Sequence, residues 1–177
     1  MSRWIVLLAA LALVAAGCGR ESAGPGGTDS FAFVPYPGAR YLPQLTEATK
    51  KAHTILKPNE EAPPVAIYDT DAPVDDVAGF YVKEYGYRGI APEVSNDFSV
   101  VKPPAYRRSG DLAVDVKGIE PLLQKMNLAT DVSKASGSYR AVEVAPKPNR
   151  PRVTIQRPYF DVTTSEVVDR TLILMAR

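Results

Sequence analysis

Over residues 71–86, DAPVDDVAGFYVKEYG, apolar side chains fall at Val74, Val77, Ala78, Tyr81 and Tyr85. Those intervals follow one face of an α-helix, because a turn of 3.6 residues brings such positions into a single stripe. The ends agree: Asp71 or Ala72 stands where a cap belongs, Pro73 suits the first turn, and Asp75 and Asp76 lie at the positive end of the helix dipole. Gly86 is a natural terminator. A shorter stripe of Ile119, Leu122, Leu123 and Met126, with Pro121 early and Asn127 late, predicts a second helix. Residues 46–56 read as a third, short one ahead of a loop over 57–64.

Strands are predicted at 65–68, 98–102, 112–116, 139–145, 152–157 and 170–175. Val153 and Ile155 alternate with Thr154 and Gln156, the pattern of a half-buried strand. Leu172-Ile173-Leu174-Met175 is apolar on both faces and belongs at the centre of a sheet or under cover on both sides. The link between these two, residues 159–169, is polar at Thr163-Thr164-Ser165, so the pair reads as a hairpin with a long loop. Residues 31–45, FAFVPYPGARYLPQL, are apolar and aromatic but broken by Pro35, Pro37, Gly38 and Pro43, which predicts an extended segment with a turn. Helices and strands do not alternate regularly. The expected fold class is therefore α+β, a mostly antiparallel sheet with two or three packed helices in a single domain after a flexible tether.

The first apolar run has a different meaning. Met1-Ser2-Arg3 is a positive start, residues 4–16 are almost all Ile, Val, Leu and Ala, and Ala15-Ala16-Gly17 are small. This is the anatomy of a secretory signal peptide, and it falls short of the roughly 20 apolar residues a spanning helix needs. Ala15-Ala16-Gly17-Cys18 at its end resembles the lipobox of bacterial lipoproteins, although that family usually has leucine where this chain has Ala15. The resemblance implies a signal over 1–17, cleavage between Gly17 and Cys18, and acylation of Cys18 on its sulfur and its new amino group. Three chains make a firm anchor, since each buried methylene contributes about 0.8 kcal/mol. Gly19, where an aspartate would retain the protein at the inner membrane, favours the outer membrane in a Gram-negative cell.

Residues 18–30 are then the lipidated cysteine and a tether, GRESAGPGGTDS, which has no apolar periodicity and an r.m.s. reach of roughly 20 Å. The globular domain is expected over 31–177. Within it, PYPGA, YDTDAPVDDVAGFY and RPYFDV…TLILM resemble a group of uncharacterised bacterial lipoproteins and secreted proteins with a YPGA segment. That likeness implies a fold and brings no catalytic residues with it.

Charge and composition narrow the partners. Lys and Arg number 21 against 20 Asp and Glu, and Arg3 departs with the signal, so the mature chain is near neutral. Nucleic-acid binders usually carry a basic surplus, and no nucleic acid is expected here. Cys18 is the only cysteine, and once lipidated it leaves no thiol for a disulfide, so the domain must be held by packing.

Candidate chemistry is sparse. His53 is the only histidine, in TKKAHTIL, and any Ser-His-Asp arrangement would need it. No glycine-framed serine elbow accompanies it, and a surface or boundary position is expected. One histidine and a lipidated cysteine do not make a zinc site. Asp69, Asp71, Asp75 and Asp76 suggest calcium, but Pro73 takes the third ligand position of such a loop and Val74 its glycine position, so helix capping accounts for them better. No metal or cofactor is expected. Basic residues gather in KPPAYRRSG and again at Lys147, Arg150, Arg152 and Arg157. Of these Lys102, Arg107, Arg108, Arg150 and Arg152 are candidate contacts to anionic headgroups or a cell-wall polymer, the alternative being a solvated loop and strand edge. Phe31, Phe33, Tyr36 and Tyr41 form either a binding lip or a segment that covers the core.

The expected function is that of a membrane-anchored cell-envelope lipoprotein, a binding or scaffolding module without catalysis. Its partners would be the membrane, through Cys18, and an envelope protein or polymer. The alternative is a carrier of a small apolar ligand or lipid, with a pocket between helix and sheet lined from Val74, Tyr81, Tyr85 and the last strand. A third reading is an envelope-polymer hydrolase, since carboxylates alone can run glycoside hydrolysis.

Overall fold

The last strand shows how the chain is layered: Ile173 and Met175 pack to one side of it, Leu174 and Ala176 to the other, all buried. A computed structural model describes residues 33–93 and 102–177. The expected signal and tether, Cys18, Phe31 and nearly all of the strand expected at 98–102 lie outside them. In chain order the elements are β1 Arg40–Tyr41, α1 Pro43–Leu56, β2 Val65–Thr70, α2 Val74–Glu84, β3 Ala91–Glu93, β4 Ala105–Asp111, α3 Leu112–Lys125, β5 Ser138–Val144, β6 Arg152–Arg157, β7 Tyr159–Asp161, β8 Glu166–Val168 and β9 Thr171–Ala176, with a 3-10 turn at Val132–Lys134. No helix among the described residues is long and apolar enough to cross a membrane.

The fold is α+β. Seven strands form one sheet in the order β1-β2-β9-β6-β5-β4-β3, antiparallel except where β3 meets β4. The hairpin of β7 and β8 stands apart. Helix α2 covers one face, setting Val77, Ala78, Tyr81 and Val82 on Val142, Ile155, Ile173 and Met175. Helices α1 and α3 cover the other, where Leu45, Val116, Ile119 and Leu123 meet Ile67, Leu174 and Phe160.

The stripe of α2 and the doubly apolar β9 stand as the sequence implies, and β6 pairs antiparallel with β9. Other expectations are corrected. Residues 112–116 are the start of α3 and not a strand: the Asp111 carboxylate accepts from the Val114 N–H at 3.1 Å, a side-chain cap that fixes the helix start. Leu112, Val116, Ile119 and Leu123 then make one buried stripe, and Pro121 lies inside the helix on its exposed side. Asn127, at φ 53°, ends it. Helix α1 begins at Pro43, which suits the first turn. Helix α2 has Pro73 at its cap position with no side-chain cap; Asp71 pairs with Arg170 instead.

Strand β6 is buried on both faces rather than half-buried. Thr154 and Gln156 face α1 and α3, and both find partners there: Thr154 donates to Glu143 at 2.8 Å and Gln156 to the Pro158 carbonyl at 3.2 Å. The 159–169 link is not a simple loop but contains β7 and β8. Most of the supposed basic loop KPPAYRRSG is β4.

One buried carboxylate ties the margin of the sheet together. Asp69 on β2 is wholly buried and accepts from Arg40 at 3.0 and 2.7 Å, from Arg170 at 3.0 Å and from the Tyr159 hydroxyl at 3.1 Å. Burial alone would raise its pKa; the hydrogen bonds from Arg40 and Tyr159 and the charges of Arg170 and Arg40 hold it below the ordinary value.

Candidate functional site

Helix α1 turns alanines toward α3: Ala48 and Ala52, one turn apart, stand against Leu122. Small residues there do not fill the space between the helices and the sheet. A cavity of about 70 Å³ results, walled by these residues with Leu45, Ile119, Leu123 and Met126 from the helices. Ile67, Leu172 and Leu174 form its apolar floor, and Phe160 and Val162 from the β7 region border it. The Lys51 ammonium donates to the Met126 carbonyl at 2.6 Å, so a cation from α1 satisfies the carboxyl end of α3 and fixes the two helices beside the cavity.

The wall has one polar stretch, contributed by Arg108, Thr154 and Gln156. Arg108 Nε donates to Glu143 Oε1 at 2.9 Å and an Nη to the Tyr139 hydroxyl at 3.1 Å, while the guanidinium lies 5.6 Å from the centre of the Tyr139 ring. Thr154 donates to the other Glu143 oxygen. Both partners of the Arg108–Glu143 pair are about nine-tenths buried, at 11% and 10% side-chain exposure. Burial opposes the charge on Arg108, but Glu143 outweighs it and the guanidinium pKa is raised. Burial pushes the Tyr139 hydroxyl pKa up as well.

Among the described residues the interface expected to hold a pocket, between Tyr81, Tyr85 and the last strand, is packed. Tyr81 fills that interface at zero exposure and donates to the Val34 carbonyl at 3.1 Å; Tyr85 donates to the Pro151 carbonyl at 2.8 Å. The cavity described above lies on the opposite face of the sheet, under the alanines of α1.

Three of the five candidate anion contacts, Lys102, Arg108 and Arg152, lie around Tyr106, and the other two are placed elsewhere. Arg107 and Arg108 are neighbours on a strand and so point to opposite faces. Arg150 pairs with Glu84 at 2.9 Å, Arg152 is half-buried on β6, and Lys102 lies 5.4 Å from the Tyr106 ring centre. Arg107 instead joins Arg140 and Arg157 in a groove beside the start of α2. Its charge is largely matched, by Asp75 on Arg107 and by Asp169 on Arg157 at 2.8 Å, with Glu93 also present.

His53 is buried, at 4% exposure, not at the surface or boundary: its side of α1 also carries Thr46, which donates to the Leu42 carbonyl and accepts from the Ile67 N–H, and so faces β2. Among the described residues no group of three or more His, Cys, Asp or Glu is placed to hold a metal. The aspartates take structural partners, Asp69 in the buried cluster, Asp71 with Arg170 and Asp75 with Arg107. Phe33 and Tyr36 pack against the α2 side of the core, as a covering segment would, and Tyr41 lies exposed beside Tyr68.

Glu143, Tyr139 and Thr154 went unsuspected as site residues. Their sequence signal is faint: a glutamate in the apolar run YRAVEV and a threonine and glutamine in an otherwise apolar strand, each needing a partner if buried. Compared with known protein families, curated proteins and solved structures, the chain matches none.

Proposed function

We propose that this chain is a lipid-anchored protein of the cell envelope whose domain works by binding, and that it holds a small apolar ligand between α1, α3 and the sheet. The cavity walled by Ala48, Ala52, Leu122, Met126 and Leu174 supports the reading. Concave, mostly apolar space with a few polar groups is what small-ligand sites are made of. Binding is preferred to turnover because the carboxylate behind the polar part of the wall is committed: one Glu143 oxygen accepts from Arg108 and the other from Thr154. The lipobox-like Ala15-Ala16-Gly17-Cys18 supports the location.

The test is a titration of the full chain with hexane, followed through the methyl resonances of Ile67, Leu122 and Leu174, in parallel with Ala52→Leu, whose larger side chain occupies the space. Saturable shifts in the parent chain that vanish in the variant are expected. Unmoved methyls would sink the ligand reading, and unchanged membrane fractionation of Cys18→Ala would sink the anchor.

A further inference from the structure

Arginine carries five N–H donors in a planar fork. In Arg108 one goes to Glu143 and one to Tyr139, so three have no acceptor among the described residues, although the side chain is only 11% exposed and borders the cavity. None of its nitrogens is among the buried side-chain atoms left without a partner, so these N–H groups meet open space that an acceptor can enter. Each Glu143 oxygen already accepts one bond, and neither Thr154 nor Gln156 beside it makes one with Arg108. A ligand acceptor lying in the cavity would complete the fork.

Charge decides what kind of acceptor. Arg108 and Glu143 form a nearly buried pair whose charges cancel. A ligand carboxylate would set a second negative charge beside Glu143 where little water screens it, and would lose its own hydration on entry. A neutral carbonyl takes the same N–H groups without either cost. Most of the rest of the wall is hydrocarbon, and the space has room for several water-sized groups, enough for a few methylenes.

We propose that the cavity receives the head of an acyl chain, with a neutral ester or amide carbonyl accepting from Arg108 and the adjoining methylenes lying between Ala48, Ala52, Leu122 and Leu174. This rests on the reading of the cavity as a ligand site. The ligand class is a neutral acyl ester or acyl amide, and not a free fatty-acid anion.

The experiment titrates the full chain, in detergent-free buffer at neutral pH, with ethyl hexanoate, N-ethylhexanamide, hexanoate and hexane, read by the methyl shifts of Ile67, Leu122 and Leu174. Hydrogen bonds to a charged donor predict that the ester or the amide binds about tenfold or more tighter than hexane, and hexanoate weaker than either. Which of the two carbonyl compounds leads identifies an ester or an amide source. The double variant Arg108→Met with Glu143→Leu removes both charges at once and leaves neither stranded. In it the affinity for the carbonyl compounds is expected to fall to that for hexane, with hexane binding retained. Equal binding of hexane and ester in the parent chain would overturn the role of Arg108 while leaving the cavity a ligand site. Tighter binding of hexanoate than of the ester would overturn the neutral head. Binding of none of the four would overturn the ligand site itself.

Discussion

Tyr139 lies across the β4–β5 ladder from Gly110 with its ring folded over the glycine, so close that a Cβ at Gly110 would stand 2.5 Å from Tyr139 Cζ and 2.7 Å from Cε1. The same ring carries the hydroxyl that accepts from Arg108. Gly110→Ala must therefore push the ring away from the backbone, and overpacking of this kind costs about 1–3 kcal/mol. The expected result is a lower denaturant midpoint with an unchanged slope. Since the displaced ring also loses Arg108, the combined variant with Tyr139→Ala should cost less than the sum of the two changes. Strict additivity would show that the ring does not respond to residue 110.

Asp69 makes stability depend on acid. Its pKa is held below the unfolded value, so its contribution is fully present above about pH 4, the unfolded carboxylate value, and is lost as pH falls through the lower folded value. Asp69→Asn removes this titration. The variant should be less stable than the parent at pH 7, and the gap should narrow as the pH is lowered toward 2, measured by urea unfolding. A gap that stayed constant across that range would mean the carboxylate is not ionised in the fold.

Tyr81 separates packing from hydrogen bonding on the α2 face. It is fully buried, with its ring 5.0 Å from that of Phe80 and its hydroxyl on the Val34 carbonyl. Tyr81→Ala should cost about 3–5 kcal/mol through the cavity it opens, whereas Tyr81→Phe should cost only about 1 kcal/mol. Pro73→Gly, at an exposed cap position without a side-chain bond, should be milder than Tyr81→Ala. Comparable losses for Phe and Ala at position 81 would place the energy in the hydroxyl rather than in the ring.

His53 is a buried residue whose Nδ1 has no hydrogen-bond partner among the described residues. A buried nitrogen left unmatched is a standing cost, and a leucine of similar bulk removes it. His53→Leu is expected to leave the thermal midpoint unchanged or raise it. A loss above about 2 kcal/mol, the scale of a stranded partner, would show that the ring serves a group through its other nitrogen.

What was legible in the chain depended on whether a residue's environment could be read locally. The α2 stripe shows because one side of that helix is wet, so polar and apolar positions separate at helical spacing. Strand β9 shows because both of its faces are apolar. Strand β6 was misjudged for the opposite reason: Thr154 is polar yet buried, and the residue that satisfies it, Glu143, is a neighbour only across the ladder. At 112–116 the alternation LAVDV suits either a strand or a helix, and the Asp111 cap decides between them. The cavity was out of reach altogether, since it exists only where the alanines of α1 face the leucines of α3, and their stripes give no indication that the helices are neighbours.

The two borders of the main sheet are β1, of two residues, and β3, of three, the latter running parallel to its neighbour over a broken register. They cover only Tyr68 and Asp69 of β2 and Tyr106 and Arg107 of β4, so what ladder stays open on the sheet's flanks belongs to β2 and β4, and open edges are where chains fuse and aggregate.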